Sequence, residues 1–166
     1  MSGKEAYKRR EILPVFGTMT LITILLTALD QFTKVLAAGQ LQEGPRVLLK
    51  GVFELRYTQN RGAAFSLLQN HQWLFILISI LFLAGICVWQ LLLPPKKSVL
   101  TLRILLAVLA AGAAGNLIDR IQLGYVRDFL YFRLIDFPIF NLADIYVTVS
   151  AALLVLWMLF FDKEKE

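Results

Sequence analysis

The sequence predicts an all-α polytopic membrane protein: four transmembrane helices and a small extramembranous sheet. The 166-residue chain is 58% hydrophobic and only 17% charged, with mean hydropathy +0.66, whereas a soluble domain usually carries about 25% charge. Its apolar residues gather into four runs, each close to the roughly 20 helical residues that a bilayer core of about 30 Å requires. The stretch VLLKGVFELRYTQN (47–60) mixes β-branched and aromatic residues in patchy alternation, which predicts short strands outside the membrane.

The runs predict helices over 13–38, 73–93, 99–118 and 139–161, joined by outer loops 39–72 and 119–138, in a single membrane domain spanning 1–166. The first run follows a basic segment with Lys4, Lys8, Arg9 and Arg10. It is too long for a signal-peptide core and lacks a clear small-residue cleavage site, so it is expected to remain as a span. The segment 60–72 reads as a turn and a short interfacial helix. The second run ends at Pro94-Pro95 and is followed by Lys96-Lys97. The third carries Ala-Ala-Gly-Ala-Ala-Gly (110–115), small residues that let helices approach closely in lipid.

Orientation rests on Lys and Arg in short flanks. Nine lie on the side of the termini and the 94–98 loop, eight on the other. The raw count does not decide. The nine, however, sit in short tails and a tight loop, where the rule is strongest, so both termini are expected inside and the polar stretches outside.

Composition also excludes chemistries. One cysteine (Cys87) and one histidine (His71) cannot form a disulfide framework or the usual His/Cys zinc site, and H-E-x-x-H is absent. A serine mechanism would have to use His71, there is no G-x-S-x-G, and G-Y-V-R-D (124–128) is not G-x-G-D. No basic stripe interleaved with aromatics points to nucleic acid. No cofactor is implied.

What remains is a set of polar residues expected at one membrane surface. Asp30 and Lys34 are i,i+4 near the outer end of the first helix. Asn116, Asp119 and Arg120 share a face of the third, and Asn141 and Asp144 a face of the fourth. Ionisable groups at such places are functional candidates. Each also has a plain reading: Asp30–Lys34 as an ion pair, Asp119–Arg120 as a headgroup anchor, Asn141-x-x-Asp144 as a capping box, Asp128 as a loop residue. Two carboxylates sharing a site, Asp128 and Asp144, would be more specific, because like charges in proximity share a proton and can divide acid and base work. Nothing in the spacing proves that these two meet. A proton- or ion-coupled transporter is the alternative, disfavoured because the second and third spans carry no ionisable residue at mid-depth.

Five stretches, D-Q-F-T-K (30–34), N-R-G-A-A-F-S (60–66), G-N-L-I-D-R (115–120), V-R-D-F (126–129) and F-N-L-A-D (140–144), resemble in order the signatures of the lipoprotein signal peptidase family, signal peptidase II. The resemblance implies an aspartyl endopeptidase of the bacterial plasma membrane with a β-cradle and an outward-facing site. It would cleave prolipoproteins just before a diacylglyceryl-modified cysteine. Asp128 and Asp144 would be the catalytic dyad. Asn60, Asn116, Arg120 and Asn141 would line the site, Asp30, Lys34 and Asp119 would support it, Gly62 would bind substrate or support the site, and globomycin-type peptide antibiotics would occupy it. Two positions depart from the pattern: Ala111, where glycine is frequent, and Arg127, expected to lower the pKa of Asp128 if it points inward. Asp136 is covered by no motif and is expected at the rim or in solvent. If Asp144 sits at the third helical position, the helix dipole favours its charged form, which makes it the base and Asp128 the acid.

Overall fold

The computed structural model describes residues 3–62 and 72–161, with side chains from 11 to 62 and 72 to 160. His71, most of the 60–72 segment, and the side chains of Lys4, Lys8, Arg9, Arg10, Lys163 and Lys165 lie outside the described residues. In order, the elements are α1 (Gly3–Gln40), β1 (Arg46–Leu49), β2 (Phe53–Asn60), α2 (Gln72–Leu92), α3 (Leu100–Leu123), β3 (Val126–Phe132) and α4 (Leu142–Phe161). Among the described residues, four helices are long and apolar enough to cross a membrane. α3 is the central one: half of its spanning window is buried, against 11–17% for the others. The outer faces of the other three present Leu, Ile, Val and Phe, as lipid-facing surfaces must.

Three helix bounds differ from expectation, each for a local reason. α1 continues past the apolar run at both ends, since hydropathy reports bilayer thickness rather than helix length. α3 does not stop before Asp119: that carboxylate is buried and paired, so the helix runs on until Gly124 ends it with φ 74°, its N–H donating to Arg120 O at 3.1 Å. α4 starts late because Phe140 is extended and exchanges backbone hydrogen bonds with Leu130 (2.8 and 3.0 Å).

The sheet is antiparallel in the order β1-β2-β3. The strands predicted within 47–60 are present, as β1 and β2. β3 is a correction, because the segment expected as loop 119–138 supplies a strand. Leu55 pairs with Leu130 but Thr58 with Asp128, so two residues of β2 (Arg56, Tyr57) face one of β3 (Phe129), which is a β-bulge. The bulge reverses the facing of the residues beyond it. Thr58 and Asn60 come onto the face of Asp128, and Gln59 onto that of Arg127.

The small residues of α3 act as expected. A Cβ on Gly112 would lie 2.5 Å from Ala143 O and 2.7 Å from Val147 Cγ2, both on α4. A Cβ on Gly115 would collide with the Asp30 carboxylate. Ala111, where glycine was the frequent residue, is fully buried without displacing anything, its carbonyl accepting from Thr27 Oγ1 at 3.3 Å. At the opposite end of α3, buried Arg103 donates to Gln90 O (2.9 Å) and Leu93 O (2.8 Å), closing the C-terminus of α2 with a cation. Cys87 is exposed on α2. Gly112→Ala is expected to destabilise the chain by about 1–3 kcal/mol, read as a lower unfolding midpoint in detergent. Gly85→Ala, with open space around the new methyl, serves as the unaffected comparison.

Candidate active site

Three elements bring carboxylates, amides and a guanidinium to the mouth of a cavity of about 950 Å³, and a fourth completes it. β2 supplies Thr58 and Asn60, with Gly62 just beyond; α3 supplies Asn116 and Arg120; β3 supplies Asp128; α4 supplies Asp144. The cavity is also lined by Ile145, Thr148 and Val149 along α4, and by Phe137, Pro138, Ile139 and Phe140 ahead of it.

Asp128 and Asp144 are joined through amides. Asn141 Nδ2 donates to Asp128 Oδ1 at 2.6 Å, and the Asn141 backbone N–H donates to Asp144 Oδ2 at 3.0 Å. Asn116 Nδ2 donates to Asp144 Oδ1 at 2.8 Å, and Asn60 Nδ2 to Asp128 Oδ2 at 3.0 Å. Each amide is oriented by what its oxygen accepts. Asn60 Oδ1 takes the Gly62 N–H (3.0 Å) and Asn141 Oδ1 the Asp144 N–H (3.0 Å), while Asn116 Oδ1 takes Lys34 Nζ (2.8 Å) and Asn141 Nδ2 (3.1 Å). With their oxygens committed, all three amides can only present NH₂ to the carboxylates.

The reciprocal bonds between Asn141 and Asp144 are the expected capping box. It does not act as a cap alone, since the same Asn141 amide also holds Asp128.

Behind this layer lies a buried charge cluster. Lys34 Nζ is 2.8 Å from Asp30 Oδ2 and 3.8 Å from Asp119 Oδ2, and all three side chains are fully inaccessible. Asp30 Oδ1 accepts the Ala143 N–H at 2.9 Å, holding the start of α4 from α1. Asp119 receives Arg127 twice through the guanidinium (Nε 3.1 Å, Nη2 2.6 Å) and once through the Arg127 N–H (2.9 Å). Asp119 therefore serves the interior, not the headgroups, although it shares a helix face with Asn116 and Arg120. Of Asp119 and Arg120, it is Arg120 that turns to the cavity, where its guanidinium lies 5.1 Å from the Phe75 ring centroid.

Arg127 does not face Asp128, contrary to the inward-pointing alternative, because strand alternation sends the two side chains to opposite sides. Its guanidinium also donates to Gln31 Oε1 at 2.8 Å. Gln31, Arg127 and Thr58 were not among the candidate site residues. Gln31 lies inside D-Q-F-T-K and Arg127 inside V-R-D-F, so a signal was present, but neither carries a charge pattern that names its partner. Asp136 is exposed and accepts from Tyr131 OH.

Burial first, and then the neighbouring Asp144 charge, raise the Asp128 pKa to about 7; the Asn141 and Asn60 donors act the other way without prevailing. The folded chain therefore retains a proton between about pH 4, where an unfolded Asp titrates, and about pH 7. Stability falls as pH rises through that window.

Buried Asp128 and half-buried Asp144, from separate elements, thus open on one cavity at one end of a bundle of apolar helices. A family model described as Signal peptidase (SPase) II matches residues 22–160. Relatives named lipoprotein signal peptidase include one from Clostridioides difficile strain 630, 40% identical over 87% of this chain and 96% of its own length. Another, from Brevibacillus brevis, is 42% identical over 87% and 96%. Two solved structures described as bacterial membrane enzymes superpose with TM-scores of 0.81 and 0.75. They are 28% and 30% identical and cover 90% and 89% of this chain, and 92% and 95% of theirs. The chain belongs to the signal peptidase II family and is a multi-pass bacterial membrane peptidase.

The protonated-carboxyl infrared band of Asp128 is expected to be present at pH 6, to decline around pH 7 and to be missing from Asp128→Asn. A band already lost at about pH 5 would contradict the burial argument.

Proposed function

We propose that this chain removes signal peptides from bacterial prolipoproteins, cutting just before a diacylglyceryl-modified cysteine with water activated by Asp128 and Asp144. The observation that carries this reading is the pair itself: two carboxylates from β3 and α4, each held by two hydrogen-bond donors, at the mouth of a cavity that runs down α4.

Asp144 lies in the first turn of α4, held by the Asn141 N–H and Asn116 Nδ2, and is placed to act as the base. Asp128 holds its proton up to about pH 7. Asp144 then takes a proton from water as the water attacks the amide carbon, and protonated Asp128 gives its proton to the carbonyl oxygen; as the C–N bond breaks, Asp144 passes its proton to the departing amine and Asp128 recovers one from the diol hydroxyl. Arg120 lines the same cavity and supplies positive charge toward the developing oxyanion. Asn60, Gly62, Asn116 and Asn141 hold the dyad, while Asp30, Lys34 and Asp119 hold the asparagines and α4. The apolar wall of Ile145 and Val149 suits acyl chains and a signal-peptide helix entering sideways from lipid, and globomycin-type peptides would compete there.

The short α2–α3 loop carries Lys96 and Lys97 at the end of the bundle away from the cavity. This supports cytoplasmic termini and a site near the outer surface of the plasma membrane.

Gel-resolved cleavage of a diacylglyceryl prolipoprotein by purified protein tests the reading. Asp128→Asn and Asp144→Asn, each folded, are expected to lose about 10²–10⁴-fold in kcat, and globomycin to inhibit the parent. An inactive parent, or full activity in either variant, would refute it. With Asp128 as acid, kcat/KM is expected to fall as pH rises above about 7. Asp30→Ala and Arg120→Ala should impair cleavage more than Lys50→Ala, whose parent residue lies at the β1–β2 turn.

A further inference from the structure

Arg127 immediately precedes Asp128 on β3, and nothing in the proposed chemistry touches it. Its guanidinium is nonetheless nine-tenths buried and bonded to Asp119 through two nitrogens, with a further bond to Gln31. Asp30 and Asp119 carry two negative charges into this interior, and Lys34 and Arg127 bring two positive ones. The cluster is neutral only with Arg127. A buried carboxylate without its partner is strongly unfavourable.

The position of Arg127 gives that neutrality a consequence for chemistry. It immediately precedes Asp128 on β3, and both its backbone N–H and its side chain are tied to the same Asp119 carboxylate. α3 thus clamps β3 one residue from the carboxyl that faces the cavity. The clamp also leaves Lys34 free to serve Asn116. Lys34 Nζ is 2.8 Å from Asn116 Oδ1 but 3.8 Å from Asp119 Oδ2. If Asp119 lost Arg127, it would draw Lys34 toward itself, release the Asn116 amide and deprive Asp144 of an oriented donor.

We propose that Arg127 is a positioning residue for the peptidase reaction: by neutralising Asp119 and clamping β3, it sets the relative placement of Asp128 and Asp144. This rests on the peptidase reading above. Arg127 touches neither carboxylate of the dyad, so its removal acts on the geometry of the chemical step rather than on substrate binding.

The test is steady-state cleavage of a diacylglyceryl prolipoprotein by the full chain in lipid nanodiscs, comparing parent, Asp128→Asn, Arg127→Met and Arg127→Lys at equal amounts of folded, monodisperse protein. Arg127→Met is expected to lower kcat by about 10²-fold with KM within about twofold. Arg127→Lys restores the charge without the two-pronged geometry and should recover roughly tenfold of the loss. If Arg127→Met does not fold, Arg127→Gln, which keeps a donor without the charge, takes its place with the same expectation. Parental kcat in the neutral variant, a loss confined to KM, or no recovery in Arg127→Lys would overturn the role of Arg127 while the parent cuts and Asp128→Asn does not. A parent that leaves the prolipoprotein intact would overturn the peptidase reading and this inference together.

Discussion

The structure depends on keeping four charges out of both water and lipid. Asp30, Lys34, Asp119 and Arg127 are at most 8% exposed, and in a membrane protein such groups are tolerable only when mutually paired and fully hydrogen-bonded. Meeting that requirement joins separate parts of the chain. α1 supplies Asp30 and Lys34, α3 supplies Asp119, β3 supplies Arg127, and Asp30 reaches the Ala143 N–H at the start of α4. A pairing of this kind is weak evidence for stability but strong evidence for a specified arrangement, since any misalignment strands a charge.

From that cluster outward, the site is layered by polarity. Charges lie deepest, asparagine amides form the middle, and the two carboxylates face the cavity. The amides are suited to the middle layer because they transmit orientation without adding charge. Lys34 polarises Asn116, which can then only donate to Asp144, and the capping bond of Asn141 leaves its NH₂ for Asp128 and Asn116. Glycine is required where these layers are thinnest. Gly115 lies against the Asp30 carboxylate, and even a methyl group would enter the space that carboxylate fills.

Much of this was legible in the chain. Four apolar runs specify four helices because lipid leaves the backbone no other way to satisfy its hydrogen bonds. The i,i+4 spacing of Asp30 and Lys34 and the Asn141-x-x-Asp144 box are local patterns whose geometry follows from helical periodicity. β3 was not legible: V-R-D-F-L-Y-F interleaves two charges that are satisfied only by α3 and by the asparagines, so it reads as a polar loop until those partners are known. The bounds of α3 and α4 shifted for the same reason, since Asp119 and Phe140 are governed by contacts far away in sequence.

By itself, the sequence determined the spans, the end of the bundle at which polar residues gather, and the identity of the side chains, because hydropathy and helical spacing are local quantities. Only the tertiary structure decided which of those side chains face one another. The bulge between Leu55 and Thr58 is the clearest instance. One extra residue in β2 turns Asn60 toward Asp128 instead of away from it. No pattern within β2 requires that residue; it is set by how the strand must pair with β3 while β3 is held to α3.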